Sequence, residues 1–259
     1  MGTRADIAAA GALLVACVAP VFAQENFDAL FAAADAHFAL FENRPATELY
    51  KRALALRPDD FHVLEMAIRA HHDYGLDLVA DRDERGARDA LNQAGAYARE
   101  MEGKFPGRAE TYFYLAAMNG SLARFEGGRA KIEIARNVER NSKRAIELNS
   151  SFALAHAVLG VFYRELAGLN VLQRTFAKLF FGGVPEGSND QALRSLERAV
   201  ELDPQLGFAR FELAVTYASL GNARAANENL EIFIKLLPQT SQDKRNQELA
   251  TQMLQQSNK

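Results

Sequence analysis

The sequence predicts an all-α chain built as a solenoid of stacked helix pairs, and three observations predict it. A closing motif recurs as "RALALRP" (52–58), "RAIELNS" (144–150) and "RAVELDP" (198–204), with a weaker copy in "AREMEGKFP" (98–106). The helices "YLAAMN" (114–119), "VLGVFY" (158–163) and "ELAVTY" (212–217) place leucine and then a small residue at one register: Leu115–Ala116, Leu159–Gly160 and Leu213–Ala214. The composition is that of a folding helical chain: 49% apolar, no tryptophan, and alanine, leucine, glutamate and arginine throughout.

The units close at Pro58, Pro106, Ser150, Pro204 and Pro238, which are 48, 44, 54 and 34 residues apart. The last spacing is the tetratricopeptide period of about 34 residues, and the others exceed it by about 14, 10 and 20. Within the last unit Leu213, Ala214, Tyr217, Gly221, Ala226, Leu230 and Phe233 fall on the repeat positions. The small residue lets the two helices of a pair approach, and the large apolar ones fill the space between units. The fold class is therefore a tetratricopeptide-like α-solenoid with elongated, insertion-bearing repeats.

Residues 1–23 read as a signal peptide. "MGTR" carries a positive charge, "IAAAGALLVACVA" is an apolar run too short to span a bilayer comfortably, and "VFA" before Gln24 sets small residues for cleavage after Ala23. The expected location is periplasmic or secreted. "LVAC" also resembles a lipobox, which would instead make a lipoprotein anchored through Cys17, although the residues after it are apolar. Cys17 is the only cysteine, so simple cleavage leaves none for a disulfide, a thiolate ligand or a nucleophile.

Residues 24–259 read as a single solenoid. N-terminal helices over 26–57 precede about four helix pairs closing at 106, 150, 204 and 238. The earliest pair is degenerate, with Ala67–Ile68 at the small-residue register. Gly75, Gly107 and "GGVPEGSN" (182–189) mark breaks, and the acidic "HHDYGLDLVADRDE" (71–84) reads as a loop of solvated charge. "GRAKIEIARNVERNSKRAIEL" (128–148) reads as a charged, solubilising helix. A polar helix at 241–257 caps the stack with Leu249, Met253 and Leu254.

In a solenoid of this kind the concave wall takes positions 2, 5, 9 and 12 of each first helix. Here these are Phe208, Phe211, Val215 and Ala218; Leu154, Ala157, Val161 and Arg164; and Glu110, Phe113, Ala117 and Gly120. A contiguous apolar wall does not face water without a reason. The insertion "LNVLQRTFAKLFFGG" supplies one, with Leu169, Leu172, Phe176, Leu179 and Phe180 at helical spacing. Such a helix would lie over the wall as a lid. Lid and wall then form a filled core, or enclose a pocket for a lipid or other apolar small molecule. In a third reading Arg174 and Lys178 help the helix rest on a membrane surface. The first repeat differs, presenting His62, Glu65, Arg69 and His72, a polar contact patch. His62 and Glu65 have the spacing of half a zinc site, but no third ligand is correctly spaced, so no metal is expected.

The C-terminal half, from "GVFYRELAGLNVLQRTFAKLFFGGVPEGSNDQAL" (160–193) to "LPQTSQD" (237–243), resembles the repeat domain of the regulator of microtubule dynamics family. The likeness lies in order and spacing: a helix ending in an aromatic, an amphipathic insert, a Gly/Pro turn, then the last repeat. A similar insertion-bearing design occurs in the T-component proteins of tripartite ATP-independent periplasmic transporters. The first resemblance implies a domain that binds proteins, with some members binding or moving phospholipid; the second implies a companion of a periplasmic solute-binding protein. Neither implies an enzyme or a cofactor, and a signal peptide in front argues against microtubule binding. Consistent with this, no Gly-x-Ser-x-Gly, phosphate-cradling glycine loop or paired-histidine motif occurs. The net charge of −3 leaves no basic footprint for nucleic acid. The expectation is a non-catalytic module for an unidentified protein partner, not membrane-spanning. The alternative is a carrier of a lipid or apolar molecule, possibly an accessory transport component.

Overall fold

The computed structural model describes residues 26–257. The expected signal peptide, its cleavage point at Ala23 and the alternative lipid site at Cys17 lie outside the described residues. Every regular element among the described residues is helical. In order these are α1 (Phe27–Ala39), α2 (Asn43–Leu56), α3 (Phe61–Ala80), α4 (Glu84–Lys104), α5 (Ala109–Leu122) and α6 (Gly128–Leu148). They continue with α7 (Ala153–Ala167), α8 (Val171–Phe181), α9 (Asn189–Leu202), α10 (Gly207–Ser219), α11 (Ala223–Phe233) and α12 (Ser241–Ser257). A 3₁₀ turn, Ala123–Phe125, follows α5.

Local chemistry sets the helix ends. The side chains of Asn26, Asp60, Asp83, Asn170, Ser188 and Asn222 each accept a backbone N–H from the first turn they precede. Pro58 and Pro204 follow α2 and α9 closely and cannot continue them. The recurring closing motif has a packing role. Its alanine, at Ala53, Ala98, Ala145 and Ala199, is fully buried in all four copies. In α9 this alanine shares one face with Ala192 and Leu196, and in α2 with Ala46 and Tyr50.

First and second helices pair as α3 with α4, α5 with α6, α7 with α9, and α10 with α11. Their buried apolar residues form four successive clusters along the stack. Each pair closes on a residue of little bulk. Ala116 and Ala214 are fully buried. A Cβ on Gly160 would meet Leu196 Cγ at 2.6 Å and the Ala192 carbonyl at 3.1 Å.

The three insertions are spent differently. The surplus of the first pair lengthens both helices, to 20 and 21 residues against 13 and 11 in α10 and α11. This corrects the expected loop at 71–84, because α3 runs through Gly75 to Ala80. Gly75 is not a break but a contact: a Cβ there would meet Leu91 Cγ at 2.7 Å. The degenerate Ala67–Ile68 register is thus supplemented by a close approach two turns later. In the second pair the surplus lengthens α6 to 21 residues, and in the third it forms α8 and the loop after it.

The C-terminal helix does more than cap. Asp243, Gln247, Ala250 and Leu254 share one face; Ala250 is fully buried, and Met253 and Leu254 pack on the last cluster. Leu249, expected in that contact, is exposed because it lies off this face. The first turn of α12 returns to the beginning of the stack. Asp77 on α3 accepts from Ser241 Oγ at 2.5 Å, Arg245 Nη1 at 2.9 Å and Asn43 Nδ2 at 2.7 Å. Lys244 sits 4.3 Å from the ring centre of Phe41.

Replacing Gly160 by leucine should force α7 and α9 apart and destabilise the protein by about 1–3 kcal/mol. Thermal denaturation checks this; a midpoint equal to the parent's would show that α7 and α9 do not meet there.

Candidate functional site

The residues expected to line one apolar groove are dispersed among separate clusters. Phe113, Ala117 and Leu154 belong to the first cluster, where the Phe113 ring packs edge-on against Phe152 at 5.3 Å. Val161 and Phe208 pack in the third, and Phe211 and Val215 in the fourth. The Phe211 and Phe233 rings lie 5.3 Å apart. Neither the shallow cleft of about 220 Å³ beside α11 and α12 nor that of about 230 Å³ beside α4, α5 and α6 is lined by any of these seven residues. The wall is spent on joining neighbouring units.

The lid does not cover it either. Leu169 packs on the second cluster, but Leu172, Phe176, Leu179 and Phe180 are exposed. α8 lies against α6, with Ala177 as its buried residue. Two arginines hold it that way. Arg174 donates to the carbonyls of Leu166 and Leu169, and Arg136 on α6 donates to those of Phe181 and Gly183. The helical spacing is legible in the sequence, but the side of α8 facing the protein is the one carrying Arg174, Ala177 and Phe181.

His62, Glu65, Arg69 and His72 follow one face of α3, and each has a partner. Tyr114 Oη donates to Glu65 at 3.0 Å, and His62 Nδ1 lies 3.5 Å from the same carboxylate. The His62 ring packs on Phe31 and the Arg69 guanidinium lies over Phe38, both on α1. His72 Nε2 hydrogen-bonds Ser121 Oγ at 2.8 Å. Burial, reinforced by Glu65, pushes the Tyr114 phenol well above its ordinary range, so it stays a donor. Among the described residues no group of three or more histidine, cysteine, aspartate or glutamate side chains gathers as a metal site. Further along, Arg164 lies 2.7 Å from Glu212, with Thr216 Oγ1 at 3.3 Å. Glu212 Oε2 is buried without an aligned hydrogen-bond donor, and burial raises its carboxyl above the usual range even though Arg164 pulls the other way.

The polar groups left uncommitted lie elsewhere. The cleft of about 230 Å³ is lined by α4, α5 and α6, with α5 packed against both of the others. Leu115, Met118 and Leu122 give it an apolar floor, and Arg99, Glu102, Asn119, Asn137, Arg140 and Asn141 line it. Gly95 leaves room: a Cβ there would meet nothing nearer than Arg99 Nη1 at 3.5 Å. Arg140 donates to Asn137, and Asn119 back-bonds to the Leu115 carbonyl. Asn141 is 7% exposed, and its side chain makes no hydrogen bond among the described residues. Its amide is not among the sealed, unpartnered polar atoms of the described residues, so it opens to solvent through the cleft. The segment 128–148, expected only to solubilise, therefore also builds a cleft wall. The signal for it in the sequence is Asn137 and Asn141, two poor helix formers one turn apart, facing a glycine inside α4.

Comparison with known proteins places the chain. A family model described as regulator of microtubule dynamics protein 1-3 matches residues 30–258. The chain belongs to that family. The regulator of microtubule dynamics protein 1 of Mus musculus is 25% identical over 243 residues, covering 93% of this chain and 78% of the relative. Its counterpart in Bos taurus is 26% identical over 217 residues, 83% of this chain and 68% of the relative. The crystal structure of a thermophilic TPR protein of Thermus thermophilus superposes with a TM-score of 0.65 at 20% identity, covering 88% of this chain and all of that one. That likeness establishes the tetratricopeptide fold for this member of the regulator of microtubule dynamics family.

Arg164→Met should leave Glu212 buried without its counter-charge and cost about 3 kcal/mol at neutral pH. A carboxyl raised above its unfolded value favours the fold below the unfolded pKa, and this contribution disappears as pH rises through the folded one. The variant loses the opposing pull of Arg164, so its stability should fall more steeply than the parent's between about pH 4.5 and 7. Denaturant melts across that range measure the difference, and parallel profiles would show that Glu212 does not sense Arg164.

Proposed function

We propose that this chain is a non-catalytic protein-interaction module that takes a polar segment of a partner protein into the cleft of Arg99, Asn119, Asn137, Arg140 and Asn141. One observation carries the reading: the amide of Asn141 opens into the cleft with no bond to another side chain or backbone group, beside Arg99 and Arg140. A peptide backbone or acidic side chain would satisfy that amide, and the two arginines favour an anionic group over a cationic one. The tetratricopeptide fold supports the same reading, since its stacked units present side chains along extended surfaces. The relatives carry microtubule dynamics in their names; the reading for this chain is the coarser one, a protein partner.

The carrier of a lipid or other apolar molecule requires an enclosed space behind the insertion. Phe113 and Phe211 are packed against neighbouring rings, and Phe176 faces outward. Nothing in the packing favours that reading, nor the accessory transport role tied to it. Export remains part of the proposal. The support is the apolar run before Pro20 and the small residues around Ala23, with Cys17 lipidation as the alternative.

Three measurements test these statements. Site-specific photocrosslinking from position 102, at the cleft rim, should capture a defined protein. Arg99→Glu with Arg140→Glu should abolish the adduct while leaving the melting curve unchanged; an adduct that survives both substitutions overturns the cleft as the site. Native mass spectrometry of the purified protein should give the unliganded mass, and a retained lipid would favour the carrier. The mass of the exported chain should begin at Gln24; a diacylated Cys17 would identify the anchored form.

A further inference from the structure

The largest uncovered apolar surface among the described helices belongs to α8. Val171 is 81% exposed, Leu172 78%, Leu179 75%, Phe180 65% and Phe176 52%. On a helix of 3.6 residues per turn Leu172 and Leu179 lie at the centre of one face, with Phe176 and Phe180 on one flank and Val171 on the other. The opposite face, Arg174, Ala177 and Phe181, lies toward the protein. α8 has not swung away from a core it belongs in. Its Asn170–Gln173 capping box, the two arginine staples and the left-handed Gly182 at its C-cap define both ends. The phenylalanines are packed among themselves, Phe176 on Phe180 at 4.6 Å and on Phe181 at 5.7 Å. The apolar face is therefore held outward by specific contacts of the fold.

We propose that α8 is a membrane-docking element that lays this face into the interfacial region of an anionic lipid bilayer. Three observations favour a bilayer over a protein. First, the sector of α8 from Val171 round to Phe180 holds a single hydrogen-bonding side chain, Thr175, with Gln173 and Lys178 at its edges, whereas a protein interface needs about one hydrogen bond per 100–200 Å². Hydrocarbon needs none. Second, the five side chains expose roughly 600 Å², below the ~800 Å² per partner of a stable protein interface. A second copy of the chain docked through α8 alone is thus a poor occupant. Third, the charge is complementary to an anionic surface. Between Glu165 and Glu186 the only charged residue turned away from the protein is Lys178, since Arg174 is committed to the carbonyls of Leu166 and Leu169. Lys178 is exposed and unpaired, and on α6 Lys131 and Arg129, the latter 3.6 Å from Glu133, follow Gly128, which lies beside the Phe181 ring. An amphipathic helix with large apolar residues on one face and basic residues beside it is the chemistry of interfacial binding. None of the described helices is long and apolar enough to cross a membrane, so the attachment would be peripheral.

The test is co-sedimentation of the full chain with phosphatidylcholine vesicles with and without phosphatidylserine, at low and physiological salt. The parent should pellet with phosphatidylserine vesicles and less so as salt rises. Leu172→Glu with Leu179→Glu should weaken pelleting by about tenfold or more without moving the thermal midpoint, since both side chains are exposed. Lys178→Glu should remove the preference for phosphatidylserine. A parent that stays in the supernatant with every vesicle overturns the proposal, as does pelleting that the double substitution leaves intact. Sedimentation velocity runs alongside: a parent dimer that the double substitution dissociates, with no vesicle binding, would assign α8 to a second copy and equally overturn it.

Discussion

The close approach of paired helices over a residue with almost no side chain is the constraint on which the rest of this molecule depends. At Gly160 the space beside α7 is already filled by Leu196, and at Gly75 the space beside α3 is filled by Leu91. Ala116 and Ala214 do the same work in the other pairs, and the alanine of each closing motif completes the seam from the second helix. With helices held this near, the larger side chains are displaced to the junctions between pairs. This is why Phe113 ends in a contact with Phe152 of the next unit, while Phe211 packs on Phe233 within the last pair. A solenoid is stabilised by such nearest-neighbour interfaces, so residues that look like a continuous wall on a helical projection are divided among three separate clusters.

That packing also explains the distribution of polar groups. Along the first helices the polar side chains bridge adjacent units: Glu65 to Tyr114, His72 to Ser121, Arg164 to Glu212. Held in these contacts, they are unavailable to a ligand. The cleft between α4, α5 and α6 is different because Gly95 holds α4 without a side chain at its floor, and the amide of Asn141 faces the resulting space. A ligand in the cleft could bond that amide in exchange for water. The cleft and the exposed face of α8 involve different helices and different chemistry, one polar and one apolar. A single chain can therefore engage a protein and a bilayer without competition between the two surfaces.

Much of this is legible in the residues. The helix pairs, their small-residue register and the turns at Gly107 and 182–188 follow from patterns repeated within a few tens of residues. The departures share a cause. Gly75 reads as a break because glycine is usually a turn signal, whereas here it relieves a clash with a side chain on another helix. Leu172, Phe176, Leu179 and Phe180 read as facing inward because apolar faces usually do. Arg174 reverses that by reaching from α8 back to the carbonyls of Leu166 and Leu169, and Arg136 by bonding those of Phe181 and Gly183 from α6. The packing role expected of Leu249 belongs to Ala250, a difference of one residue in helical phase.

What the sequence by itself determined is the repeat: its helices, its seam of small residues and the family it belongs to. These depend on interactions between residues that are neighbours along the chain or in adjacent helices, which leave a periodic trace. What only the tertiary structure decided is the outward turn of α8, the unpaired amide of Asn141 in its cleft, and the return of α12 to Asp77. Ser241 and Asp77 are 164 residues apart, and Arg245 and Asp77 are 168 apart. Contacts at such separations arise from the accumulated rotation of the stacked pairs, to which every insertion contributes and which no local pattern records.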